Sequence, residues 1–315
     1  MTYLELNTAF GDYDRITALR TGDVVADGVQ LQIACLEPSD IFARMCSNLE
    51  FDVAEMSMGA HMFLLGTGAS PFVGVPAFPS RAYRHSMAYA HVDANIDNPA
   101  DLNGKTIAIR EWGTTALIWI IGILTDEYGF DMRSVDWVAA RPARVPLQLP
   151  AGVNLRYMTA DESISSLLDS RGVDAALHHE EVACFDSGSN NVKRVFSNHA
   201  QAEIAYHQRT GMHPIMHCVV MRADLHARLP WVRDALYDAL EKSRQHAANE
   251  LLKTGTLAAM IPFLPQIIAD TQTRFGLNWW PYGLDANRDC LDKLASYAHA
   301  QGLTPRLLSA AEMFA

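Results

Sequence analysis

The order in which short apolar strands alternate with helices constrains this chain more than any single residue does. Strands are expected over 3–8, 29–35, 51–56 and 73–78, each apolar or alternating over strand length. Helices fall between them: 14–21, then 38–48 with Ser39 or Asp40 as cap, then 58–65 with Ser57 as cap. Residues 86–92 read as an extended crossing segment. A second block repeats the alternation. It has a strand at 105–109, a long helix capped by Thr114 or Thr115 and closed at Gly129, an amphipathic helix at 163–170, and a strand at 173–177. Residues 215–221 bring the chain back as a strand. Two helices follow, one opened by Pro230 and running to about Lys253, the other capped by Asp285, running to about Ala300 and closed by Gly302.

Two α/β blocks, joined by one strand going out and another coming back, make the plan of the type II periplasmic-binding-protein fold. The expected fold class is therefore α/β and two-lobed, with the ligand cleft between lobes joined by two crossing strands. Residues 1–88 and 215–315 form the first lobe, and 89–214 the second. A chain of 315 residues, 49% hydrophobic, has ample core for both. Its net charge of −11 and scattered basic residues give no stripe for nucleic acid. Five widely spaced cysteines, with no CxxC, read as isolated thiols. No apolar run reaches membrane length, and the first residues lack the basic-then-apolar pattern of a secretory signal, so a cytoplasmic protein is expected. A homo-oligomer stays open.

Two tracts are too particular for generic packing: 210–217 (TGMHPIMH) and 279–288 (WWPYGLDANR). Each gathers titratable or aromatic side chains around a proline that fixes the local backbone, as a site for a planar, polar ligand would. The bland reading of Trp279 and Trp280 is that they fill a seam between elements. Together with 78–86 (FPSRAYRHS), 110–119 (REWGTTALIW) and the closing AQGL…EMFA, these tracts resemble the 4,5-dihydroxyphthalate decarboxylase family, in order, from Glu55 to Ala315. The resemblance implies an enzyme that releases carbon dioxide from a hydroxylated aromatic diacid to give protocatechuate, with no organic cofactor.

Roles follow from the chemistry. Decarboxylating a phenolic acid needs a clamp for the carboxylates, polarisation of the ring hydroxyl, and an acid that protonates the ring carbon. Arg81 is the first candidate clamp and Arg110 the second, because a guanidinium holds a carboxylate with two parallel hydrogen bonds. Thr114 and Thr115, at a helix N-terminus, and Ser57, at another, add donors for an anion. For proton transfer the candidates are His217, His85 and His178, with Glu55 to orient a histidine or take the phenol proton. Against each stands a plainer role: salt bridge, helix cap or satisfied core histidine. In principle His178, Glu180 and His217 could converge on a divalent ion, but no HExxH or comparable motif supports a metal. The competing class is a non-catalytic solute-binding protein for an aromatic acid or pyrimidine-like ligand, which would use the same lobes without the histidine and glutamate chemistry.

Overall fold

In a computed structural model that describes residues 3–315, the alternation folds into two sheets. The first block supplies β1 (Leu4–Phe10), α1 (Asp14–Thr21), β2 (Val29–Cys35), α2 (Pro38–Asn48), β3 (Val53–Ser57), α3 (Met58–Gly66) and β4 (Phe72–Arg81). The second supplies β5 (Ala88–His91), β6 (Thr106–Ile109), α4 (Thr115–Tyr128), β7 (Asp136–Ala139), β8 (Asn154–Tyr157), α5 (Ile164–Asp169), β9 (Ala175–Leu177), α6 (Ala183–Asp186), β10 (Val192–Arg194) and α7 (His199–Thr210). The chain returns through β11 (Ile215–Arg222) and ends in α8 (Ala223–Arg228), α9 (Trp231–Leu251), α10 (Leu264–Phe275), α11 (Arg288–Ala300) and α12 (Ala310–Met313).

The five-stranded sheet has the order β2-β1-β3-β11-β4, and the six-stranded sheet β10-β5-β9-β6-β7-β8. β4 carries the chain out and β11 brings it in, and these two strands pair antiparallel in the first sheet. Their register is irregular around His217, whose partner is Ser80, while Val219 already faces Val75. Pro76 and Pro79 have no amide hydrogen to give the ladder, which explains why β4 bulges there.

Several element edges differ from the sequence reading, each for a local reason. Glu37, not Ser39 or Asp40, is the N-cap of α2, because Pro38 takes the first helical position. Ser57 does precede α3, yet its hydroxyl makes no cap bond; it is engaged by Thr115 instead. β4 runs on to Arg81, and residues 86–92 are not a single extended segment: a 3-10 turn (His85–Met87) precedes β5. Asp285 lies in a 3-10 turn, with Asn287 at the cap position of α11. Thr114 caps α4 as expected, accepting from the Leu117 amide at 3.3 Å.

α4 positions everything else. From Thr115 to Leu124 every residue is buried, so this stretch is apolar nearly all round. Ile118, Trp119 and Ile123 pack into the core of the first sheet, and Leu117, Ile120, Ile121 and Leu124 into that of the second. Each such side chain contributes about 1.5–3 kcal/mol on burial. Glycines let its neighbours come close. A Cβ on Gly122 would stand 2.2 Å from the Tyr297 ring of α11, and one on Gly59 would stand 2.6 Å from the Gly113 carbonyl oxygen. The start of α3 is thereby pressed against the start of α4. No helix among the described residues is long and apolar enough to cross a membrane.

Candidate active site

Three helix starts face one cavity of about 260 Å³: α2 through Ser39, α3 through Ser57, and α4 through Thr114, Thr115 and Ala116. The first amides of a helix have no intrahelical acceptor, so this wall presents N–H groups and the positive ends of helix dipoles. Thr115 Oγ1 accepts the Gly59 amide at 2.9 Å and lies 2.9 Å from Ser57 Oγ. Thr115 thus staples α3 to α4 and holds the Ser57 hydroxyl at the cavity surface.

His217 enters from the sheet side. On β11 it stands directly across from Ser57, while Glu55 lies across from Val219, one pair further along the same face. The bulge beside it turns the imidazole into the cavity, edge-on to Phe42 with ring centroids 4.9 Å apart. Behind it Glu55 is fully buried. One carboxylate oxygen accepts from His217 Nδ1 at 2.6 Å and from the Tyr13 hydroxyl at 2.9 Å; the other accepts the Gly11 amide at 2.9 Å. A carboxylate only accepts, so Nδ1 carries its proton and Nε2 is the nitrogen left for chemistry. Burial, reinforced by the Glu55 charge, pushes the Tyr13 phenol far above its ordinary range, so Tyr13 stays a donor.

The remaining walls carry the arginines Arg84, Arg110, Arg141 and Arg144 together with the carboxylates of Glu37, Glu111 and Glu180. Arg110 donates to His179 Nε2 at 2.9 Å and lies 3.6 Å from the Glu180 carboxylate. Burial, together with His178, pushes His179 down to about 4, so it is neutral near pH 7. Arg141 is held by Glu111 at 2.7 Å, whereas Arg144 reaches the same carboxylate only at 3.9 Å. Arg84 has the poorest partner: its Nε donates to the thioether sulfur of Met216 at 3.1 Å, and among the described residues no carboxylate pairs with it. Burial pushes Arg84 down to about 10, still charged at neutral pH. A cationic group facing a cavity without a counterion is a place for an anionic ligand.

Among known proteins, the 4,5-dihydroxyphthalate decarboxylase of Comamonas testosteroni is 34% identical over 320 residues, spanning 100% of this chain and 97% of that protein. The chain belongs to the 4,5-dihydroxyphthalate decarboxylase family. The enzyme of the same name from Pseudomonas putida is 33% identical over 202 residues, covering 62% of this chain and 78% of its own. No family model matches. Among solved structures, a putative periplasmic sulfonate-binding protein SsuA from Methylobacillus flagellatus superposes with TM-score 0.59 at 14% identity, covering 99% of this chain and 91% of that one. The aliphatic sulphonate-binding SsuA of Escherichia coli gives 0.55 at 11% identity, covering 98% and 97%. These likenesses establish the two-lobed binding-protein fold.

The structure brings His217, Glu55, Ser57, Arg110, Thr114 and Thr115 to this one place. Three sequence candidates lie elsewhere. Arg81 is buried behind the cavity, donating to the carbonyls of His213 at 2.9 Å and Pro281 at 2.7 Å and to the Asn287 side chain. It ties the WWPYG tract to β4 and does not line the cavity. His85 is fully buried beside Phe196 and Tyr206, with neither ring nitrogen bonded. His178 turns back so that Nδ1 meets the Glu180 carbonyl at 3.0 Å; its neighbour His179 faces the cavity instead. The convergence of His178, Glu180 and His217 is therefore not formed, and among the described residues no three His, Cys, Asp or Glu gather as metal ligands. Sequence reasoning missed Arg84, Arg144 and His179. His179 is signalled only by the phase of residues past β9, and the two arginines by nothing local.

Proposed function

We propose that this chain is a carboxy-lyase that converts 4,5-dihydroxyphthalate to 3,4-dihydroxybenzoate (protocatechuate) and carbon dioxide. The observation that carries this reading is His217. It is oriented by a buried carboxylate and opens into a cavity walled by guanidinium groups and helix N-termini. The relatives named above are decarboxylases of this substrate.

In our reading Arg84, Arg110 and Arg144, with the Thr115 and Ala116 amides, hold the two carboxylates. Each ring hydroxyl is para to one carboxylate. Once that hydroxyl has given its proton to solvent water, its phenolate pushes electron density onto the carbon bearing that group, and it takes a proton back from water at the end. His217, with both ring nitrogens protonated, delivers the Nε2 proton to that carbon, and the ring is transiently a cyclohexadienone. The bond to the carboxylate then breaks, its electron pair returns to the ring, aromaticity is restored and carbon dioxide leaves. Glu55 keeps the Nδ1 proton in place throughout. No external electron sink is called for, because the phenolate supplies and recovers the electrons. We take 1–88 with 215–315 as one lobe and 89–214 as the other. The five free thiols suit the reducing cytoplasm.

The test is incubation of purified protein with 4,5-dihydroxyphthalate, following carbon dioxide and protocatechuate together. Stoichiometric release of both is expected. His217→Gln is expected to bind substrate and not turn it over. Binding without turnover in the unaltered protein would return the solute-binding role.

A further inference from the structure

The tract 279–288 is not absorbed by the cavity just described. Trp279 and Trp280 line a second cavity, also of about 260 Å³, between α9 and α10, and the two cavities share no residue. Its walls are Phe275, Trp279, Trp280 and the small side chain of Ala248, with Arg15, Arg244, His213 and the Asp14 carboxylate at its polar side. Trp280 is fixed by a 2.9 Å hydrogen bond from its indole N–H to the Phe78 carbonyl, and the Arg15 guanidinium lies between Tyr13 (4.1 Å) and Trp280 (4.7 Å). Arg15 uses Nε on the Pro79 carbonyl and Nη1 on Asp14; buried Arg244 uses Nε and Nη2 on Glu241. One NH2 of each guanidinium thus has no protein partner among the described residues.

We infer that this cavity is a second binding site for an aromatic monocarboxylate, of the class of the enzyme's own product. The identification of that class rests on the decarboxylase reading above; the site itself rests on the walls. Aromatic faces suit a planar ring, and two free guanidinium NH2 groups suit one carboxylate. Asp14 and Glu241 already offset the two arginines, so a monocarboxylate adds one uncompensated charge here and a dicarboxylate two, which makes the singly charged acid the better fit. The substrate cavity, with Arg84 unpaired, does not have that restriction. Arg15 also links the sites. It stacks on Tyr13, Tyr13 donates to Glu55, and Glu55 holds His217. A ligand that draws Arg15 off Tyr13 loosens the support of the catalytic imidazole, so product bound here slows turnover without competing with substrate.

The test uses 3,4-dihydroxybenzoate as the probe on the full chain. Equilibrium dialysis is expected to give two molecules bound per chain, and one in Ala248→Trp, which fills the cavity from a helix position that tolerates the residue. Trp279→Ala, which removes a wall without overfilling, is expected to weaken the second site about tenfold, by loss of ring stacking. Product inhibition is expected to lower kcat in the parent and to become purely competitive in Ala248→Trp, whose uninhibited kcat and KM stay at parental values. A single site in the parent, or two sites of unchanged affinity in both folded variants, overturns the inference. Turnover of 4,5-dihydroxyphthalate is scored separately, so failure of the decarboxylase reading leaves the binding count intact, and the reverse.

Discussion

Glu55→Gln is the sharpest perturbation the site offers, because it keeps the side chain's shape and removes only its charge and one acceptor oxygen. The carboxylate serves three donors: His217 Nδ1, the Tyr13 hydroxyl and the Gly11 amide. A glutamine cannot satisfy all three. If its NH2 faces Gly11, two donors meet. If its NH2 faces His217, Nδ1 must become the acceptor, and the proton moves to Nε2 of a neutral ring. Either arrangement leaves one buried donor unpaired, which costs about 1–3 kcal/mol of stability, a fall of a few degrees in Tm. The larger effect is on chemistry. Loss of a correctly held general acid costs on the order of 10²–10⁴ in rate, equivalent to roughly 3–5 kcal/mol of barrier. Glu55 does not line the cavity, so KM should change little. The assay is steady-state decarboxylation at pH 7 beside thermal unfolding of the same preparation. A folded Glu55→Gln enzyme with kcat within threefold of the parent would refute the His217–Glu55 pair as the acid.

Three further outcomes are expected. Arg84→Met removes a cavity cation that has only a thioether partner, so KM for the diacid should rise about 10–100-fold, the loss of one charge-assisted contact worth 1.5–3 kcal/mol, with stability unchanged or improved. Arg81→Met should instead leave KM unaltered and lower Tm, because it strips two backbone carbonyls and Asn287 of their donor; parental stability with raised KM would restore Arg81 as a clamp. Burial holds His61, His85 and His213 well below the ordinary 6.5, the first two at about 4, so they are uncharged in the fold. Their neutral burial is favourable above pH 6.5, where the unfolded chain is neutral too, and that stability is lost as pH falls toward 4, by up to about 1.4 kcal/mol per unit per group. His85→Phe should keep turnover and flatten this acid loss in urea titrations at pH 7 and 5; lost turnover would bring His85 back as an acid.

Legibility followed how local each determinant is. β2, α1 and α4, with the Thr114 cap, were readable because apolar phase and cap chemistry lie within a few residues of one another. α7 was not, because only Tyr206 is buried along its length and no apolar stripe marks it. His217 and Glu55 could be named as candidates in the same chemistry since each lies within a recognisable strand. Residues 86–92 read as one extended segment in the sequence, and the 3-10 turn His85–Met87 breaks that phase. His178 and His179 differ by one residue past β9, and nothing in the sequence says where the strand's alternation stops. Arg84 owes its proposed role to having only a thioether partner and Arg144 to reaching its carboxylate only at 3.9 Å, both properties of the folded site alone.

What separates this site from a passive anion receptor is the position of Glu55. A binder for a dianion is served by helix N-termini and guanidinium groups, and this fold provides both from α2, α3, α4 and the surrounding arginines. A buried carboxylate directly behind the ligand cavity works against such binding. It repels the substrate through a low-dielectric interior, where an interaction between unit charges is several-fold stronger than in water. The sequence nonetheless gives Glu55 three donors that fix its orientation, and the bulge in the β4–β11 ladder turns His217 so that the imidazole stands between the carboxylate and the ligand. In the proposed reaction an imidazolium there would screen Glu55 from the diacid while it carries the proton. Once that proton has gone to the ring carbon, the screen is gone, and the carboxylate faces an anionic product. The same arrangement that delivers the proton thus favours departure of what remains. Replacing His217 by Gln should therefore reduce affinity for 4,5-dihydroxyphthalate modestly, within about tenfold, besides abolishing turnover, and Glu55→Gln should reverse that loss of affinity in the double variant. Equal affinities in the single and double variants would show that Glu55 is not felt by the ligand.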